Sequence, residues 1–198
     1  MRSRTTIATR EHRRLYVASV SPTRATPPGY VVAYPNREKA ASKATRLIVS
    51  AILVVSAILV LAVTIGGWSK LEGLAALNFA WAAVYLVIAY FVTTRWARGL
   101  LPIAAALAIL LLILALIAGL GGTGTSWFDR DHVDYASAQS LFGGTGLGPN
   151  TLGVLTLLIA PVQVVLIGFC IQGMSQRWNI ETERPADAPP GQAHFSPA

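Results

Sequence analysis

The chain has 198 residues, 54% apolar and 13% charged, with sixteen Lys and Arg against nine Asp and Glu and a formal net charge of +7. A soluble domain carries about 25% charged residues, so this chain has too little polar surface to cover a water-soluble enzyme. The single cysteine, Cys170, excludes an intrachain disulfide, a Cys-x-x-Cys redox pair and a multi-cysteine zinc or iron–sulfur site.

In chain order, residues 1–35 are basic, rich in Ser and Thr, and interrupted by Pro22, Pro27, Pro28 and Pro35. Such a segment buries too little apolar surface to offset its conformational entropy and is expected to be a disordered arm. Within it, Leu15–Val20 and Tyr30–Tyr34 have β-like composition and are expected to order only against a partner. From Asn36 a run of good helix formers follows a proline, so the first helix is expected to start there and extend beyond the apolar stretch. Residues 1–20 hold no apolar core of a cleavable signal, so that helix is expected to act as its own insertion signal.

Crossing a bilayer core of about 30 Å takes about 20 apolar helical residues. Four stretches meet this: 47–67, 73–92, 100–120 and 151–174, none with an Asp, Glu, Lys, Arg or His. Backbone in hydrocarbon must satisfy its own hydrogen bonds, so the stretches are predicted to be helices. The fold class that follows is an all-α integral membrane protein, four transmembrane helices in a bundle. Residues 1–46 hold ten Lys and Arg; Arg95, Arg98, Arg177 and Arg184 bring one side of the predicted topology to fourteen of the sixteen. Only Lys70 and Arg130 fall on the other side. Basic flanks stay in the cytoplasm, which predicts both termini inside. Trp68 and Trp127 then fall at the outer interface, and Trp96 and Trp178 at the inner one, the level that indole prefers. Thirteen Arg against three Lys, with abundant Ala, suit a GC-rich bacterial genome and hence a bacterial plasma membrane.

Between the third and fourth stretches lies an outer loop, 121–150, opened and closed by Gly-Gly-Thr-Gly. Helical spacing puts Phe128, Tyr135, Ala138 and Phe142 on one face, which predicts a short amphipathic helix with Gly143 as its stop. The same loop holds Asp129, Asp131, His132 and Asp134, residue types that ligate divalent cations. On a helix these side chains fan around the axis, and no calcium-loop spacing accompanies them. An acidic first turn favoured by the helix dipole accounts for the carboxylates equally well, so no metal site and no cofactor is assigned. The tail, 175–198, is rich in Pro and Ala beyond Glu183 and is expected to be mostly disordered, with Arg177–Trp178 an interfacial anchor.

With no ionisable group inside the stretches, ion-coupled transport, proton relay and voltage sensing lose the side chains they use. The polar residues that remain are periodic. Asn78 and Tyr85 lie seven apart on the second helix, and Thr156, Gln163 and Cys170 seven apart on the fourth. Counted from the outer ends, Asn78 matches Thr156 in depth and Tyr85 matches Gln163. An amide facing lipid is costly, whereas bonded across helices it gains about 0.6 to 2 kcal/mol. Asn78, Tyr85, Thr156 and Gln163 are therefore predicted to form a polar bundle interior, as interhelical glue or, in the rival reading, as a ligand path. Ala104, Ala108, Ala115, Gly119 and Gly122 form a small-residue stripe on the third helix, suited to close helix packing within the chain or between copies. Pro161 frees a carbonyl and is expected to bend the fourth helix. Cys170 reads as a small packing residue.

The cysteines of a tetraspanin outer loop, the membrane glutamate of small multidrug transporters and the Gly-x-Ser-Gly of rhomboid proteases are absent. What remains is a non-enzymatic scaffold or accessory subunit acting through helix packing. The alternatives are a small transporter or channel module and, last, a membrane enzyme with an Asp/His outer-loop site. The expected partners are the bilayer, anionic lipid at the basic arm, and a larger membrane complex or further copies of the chain. The dispersed basic residues do not suit nucleic acid.

Overall fold

The computed structural model describes residues 29–124 and 140–187. These residues are mostly helical and form two compact units. The smaller unit is a two-stranded antiparallel sheet, in which β1 (Tyr30–Ala33) pairs with β2 (Thr182–Pro185), Tyr30 opposite Pro185 and Ala33 opposite Thr182. The β-like run at Tyr30 thus finds its partner in the chain's own C-terminal segment. Residues 1–28 and 188–198, the remainder of the expected arm and tail, lie outside the described residues.

The larger unit runs from Tyr34 to Ile180. It opens with a single-turn helix α1 (Pro35–Glu38), which Lys39 ends in an extended conformation before α2 (Ala40–Gly66) begins. The short α3 (Trp68–Leu71) and a 3-10 turn at Glu72–Leu74 lead to α4 (Ala75–Arg95). A second 3-10 turn, Arg98–Leu100, leads to α5 (Leu101–Gly124), and α6 (Pro149–Ser175) completes the bundle. At 1.5 Å per residue, α2, α4, α5 and α6 measure about 40, 32, 36 and 40 Å. All four are long and apolar enough to cross a membrane. Their ends lie within a few residues of the expected stretches, except that α2 begins seven residues earlier, at Ala40. The expected early start is therefore present, but interrupted at Lys39.

The helices pack in the order α4, α2, α6, α5, with α5 against α6 the most extensive pairing and α4 barely touching α5. The main core gathers Val49 and Leu53 of α2, Tyr85 and Val92 of α4, Ala104 and Ala108 of α5, and Leu166 and Cys170 of α6. It occupies the half of the bundle nearer Arg95 and Leu101, hereafter the tail end. Toward the opposite, loop end, the core continues as two smaller clusters, Val60, Ala115, Ile159 and Ala160, then Val63, Leu71 and Leu152, to which α4 contributes no buried residue.

The small-residue stripe is used inside the chain. Ala104, Ala108, Ala115 and Gly119 are buried, and a Cβ placed on Gly119 would lie 2.5 Å from Leu157 Cγ of α6. The small side chains let the two backbones approach, which is how apolar helices gain dispersion contacts where no hydrophobic force drives them together. Helix α6 continues through Pro161 from end to end.

At the loop end, Leu141 N–H donates to the carbonyl of Ile65 and Leu147 N–H to that of Gly66, so the return loop caps α2. The predicted amphipathic helix does not reach Phe142. Residues 140–143 form a turn closed by Gly143 N–H on Ser140 O, and Phe142 is 84% exposed. Gly143 takes φ +88°, the left-handed geometry a glycine supplies without strain, but as part of that turn. The helix's other positions, Phe128, Tyr135 and Ala138, lie outside the described residues, as do Trp127 and the Asp129–Asp134 cluster.

Candidate functional site

Helix α2 is the hub of the interior. Four of its hydroxyls accept hydrogen bonds from other segments. Gln163 Nε2 of α6 donates to Ser56 Oγ at 3.0 Å, and Asn78 Nδ2 of α4 donates to Thr64 Oγ1 at 3.0 Å. Thr93 Oγ1 donates to Ser50 Oγ at 2.7 Å, and Gln176 Nε2, just past α6, to Thr45 Oγ1 at 2.8 Å. The hydroxyls pass their own protons on: Ser56 to the Ile52 carbonyl, Thr64 to that of Val60 and Ser50 to that of Ala89. A hydroxyl can donate once and still accept, so Ser50, Ser56 and Thr64 each serve two partners without leaving a polar atom in the apolar interior.

Tyr85 and Gln163, matched in depth by their spacing, are brought together. The Tyr85 hydroxyl donates to Gln163 Oε1 at 2.9 Å, and both residues are fully buried. The amide therefore bridges three helices, accepting from α4 and donating to α2. Asn78 and Thr156 are not brought into contact by any hydrogen bond. Asn78 turns to Thr64, whereas the buried Thr156 Oγ1 has no hydrogen-bond partner. Cys170 sits in the main core as a packing residue.

Sequence reasoning missed Ser50, Ser56, Thr64 and Thr45. A signal was present: Ser42, Val49, Ser56 and Val63 recur every seven residues and all are buried. A helical Ser or Thr satisfies itself on the carbonyl four residues back, so this period does not stand out from an ordinary apolar helix.

A second polar cluster closes the tail end. Helix α4 ends with Trp96 in the left-handed conformation, φ 53°, and Arg177 beyond α6 has φ 50°. Such geometry costs a non-glycine residue about 1 kcal/mol or more, and the packing around it offsets that. Trp178 is fully buried and meets Trp96 edge-on, centroids 5.4 Å apart at 88°, and its indole N–H donates to Gln176 Oε1 at 2.9 Å. The expected anchor at the interface is thus a core residue that fills the end of the bundle. The Arg46 guanidinium lies 4.1 Å from the Trp96 ring centroid, within cation–π range. Arg98 donates through Nε and Nη2 to the Met174 carbonyl at 3.0 and 2.6 Å and through Nη1 to Asn179 Oδ1 at 2.7 Å. A cation there satisfies a free helix-end carbonyl and complements the C-terminal dipole of α6.

Among the described residues no group of three His, Cys, Asp or Glu is placed to hold a metal ion. Near the loop end, a cleft of about 320 Å³ opens between α4 and α5, with Asn78 and Thr156 in its lining and otherwise apolar walls. Comparison with known protein families, characterised proteins and solved structures finds no match to this chain.

Proposed function

We infer that the chain is a four-span protein of a bacterial plasma membrane, both tails cytoplasmic, acting as a non-enzymatic scaffold or accessory subunit through helix packing. The observation that carries this reading is the use made of the interior polar groups. Tyr85, Gln163 and Ser56 are fully buried and bonded to one another across three helices. A transport path needs groups that exchange partners with water or an ion; these hold helices together. The placement of fourteen of sixteen Lys and Arg on the predicted inner side supports the orientation. Anionic lipid at the basic arm follows from the same charge, worth about 1 kcal/mol per residue near the surface.

Native mass spectrometry of the complex extracted in mild detergent tests the reading. A scaffold or accessory subunit co-purifies in fixed stoichiometry with a larger membrane partner. A symmetric oligomer of this chain alone, together with solute flux in proteoliposomes that Gln163→Leu abolishes, would replace it with a transport module.

A further inference from the structure

Three half-buried arginines stand at the tail end of the bundle, and only one of them has every nitrogen engaged. Arg98 places Nε and Nη2 on the Met174 carbonyl and Nη1 on the side-chain oxygen of Asn179. Arg37 commits Nε alone, to the Trp178 carbonyl at 2.9 Å, and Arg46 commits Nη1, to the Thr93 carbonyl at 3.1 Å. Both Nη atoms of Arg37 and Nη2 of Arg46 are unbonded and open to solvent, whereas Arg46 Nε is closed off inside the protein. A guanidinium has five N–H donors, so the pair keeps donors open to a ligand outside the bundle.

The two side chains are fixed in place. Arg37 lies 3.8 Å over the Tyr34 ring, and its Cζ and that of Arg46 are 6.0 and 4.1 Å from the Trp96 centroid. Sharing one ring, the two cationic carbons are at most about 10 Å apart, or about one Debye length at 0.1 M salt. Their hydrogen bonds go to neutral carbonyls, and neither makes an ion pair with a carboxylate among the described residues. Residues 35–66 carry one acid, the exposed Glu38, against Arg37, Lys39, Lys43 and Arg46. The ring they share is held by a residue in the left-handed region, Trp96 at φ 53°, a strain of the kind found where ligands are clamped.

Charge, shape and depth select the ligand. Two guanidinium forks with no counter-ion suit the oxygens of a phosphate, which each fork meets bidentately. Arg46 is the last charged residue before the uncharged stretch that opens at Leu47, and Trp96 follows the stretch that closes at Val92. The pair therefore stands at the edge of the hydrocarbon, where the headgroup region of a bilayer begins.

We propose that Arg37 and Arg46, braced by Trp96, bind the phosphate of one anionic phospholipid from the leaflet at the tail end. The proposal rests on the reading that the four helices lie in a bilayer, and it is separate from the diffuse attraction of the basic arm. The test uses the full chain, purified in detergent and stripped of lipid, with native mass spectrometry counting what rebinds. The probes are dioleoyl phosphatidylglycerol, dioleoyl phosphatidylcholine and inorganic phosphate. One phosphatidylglycerol per chain is expected, held about tenfold more tightly than phosphatidylcholine, the scale of one charge-assisted hydrogen bond. Excess inorganic phosphate leaves it in place. Arg37→Gln and Arg46→Gln each remove most of the preference. Two control variants, Lys39→Gln with Lys43→Gln, and Arg10→Gln with Arg13→Gln and Arg14→Gln, change it less than about twofold, since their charges are screened.

Equal losses from the arginine and lysine variants, or loss on altering the arm, reduce the site to diffuse charge and overturn the proposal. Displacement by inorganic phosphate overturns the lipid assignment in favour of a soluble phosphate. If an arginine variant fails to fold, the control variants decide: a preference that survives both supports the site, and one that either abolishes overturns it. A chain that stays monodisperse without detergent defeats the bilayer reading instead, so the two failures are distinct.

Discussion

Removing the Gln163 amide tests whether the buried seam is structural. Leucine is close in volume and fills the same space, so Gln163→Leu deletes two interhelical bonds, from Tyr85 and to Ser56, with little change in packing. Hydrogen bonds between membrane helices average about 0.6 kcal/mol and reach about 1.7, which places the loss at about 1 to 3 kcal/mol. The two partners are affected unequally. Ser56 keeps its bond to the Ile52 carbonyl, whereas the buried Tyr85 hydroxyl loses its acceptor. Tyr85→Phe should therefore cost less in the Gln163→Leu background than alone, since the hydroxyl it removes is already stranded. The double-mutant cycle should give a coupling of about 0.6 to 1.7 kcal/mol. Reversible unfolding in mixed micelles, followed by tryptophan fluorescence, measures all four corners of the cycle. Additive effects, or a Gln163→Leu chain more stable than the parent, would refute the claim that this seam ties the helices together.

Other substitutions probe the remaining contacts. Gly119→Val should cost about 1 to 3 kcal/mol by driving a side chain into Leu157, and Leu157→Ala should recover part of it, read as paired shifts in the micelle unfolding curve. Arg98→Ala should loosen the tail end by about 1 to 3 kcal/mol, since it strips charged donors from the Met174 carbonyl. Arg98→Lys should restore less than half, because one ammonium cannot reproduce the planar fork that reaches Met174 and Asn179 together; thermal melts compare the two. Thr64→Val should weaken the α2–α4 contact by about 0.6 kcal/mol or more through the lost Asn78 bond, and Asn78→Leu in that background should add little, as a second double-mutant cycle would record.

The helices were legible because hydrocarbon imposes one rule, a long uncharged run, and residues 100–120 or 151–174 satisfy it without reference to the rest of the chain. The Tyr85–Gln163 bond was legible because two large polar side chains at matched depth have few other places to go. Asn78 and Thr156, the other residues at matched depth, do not bond to each other, for a physical reason. Asn78 is as deep as Thr156, but Thr64 of α2 lies within reach of its amide, and α4 packs on α2 with little contact to α5. The burial of Trp178 depends on Trp96, Gln176 and Arg98 meeting across segments some eighty residues apart, and no local period encodes that. The β1–β2 pairing joins segments about 150 residues apart, four residues each. Composition marks β1 as extended but does not name its partner.

Cysteine accessibility measures the central claim most directly. In a Cys170→Ala background, single cysteines replace Lys39, Gly73, Thr145 and Ser175, and a membrane-impermeant maleimide is applied to intact and to permeabilised bacterial cells expressing the chain. Positions 73 and 145 should label from outside in intact cells, and 39 and 175 only after permeabilisation. Labelling of 39 and 175 from opposite faces, or of all four positions equally in intact cells, would contradict a four-span bundle with both tails inside.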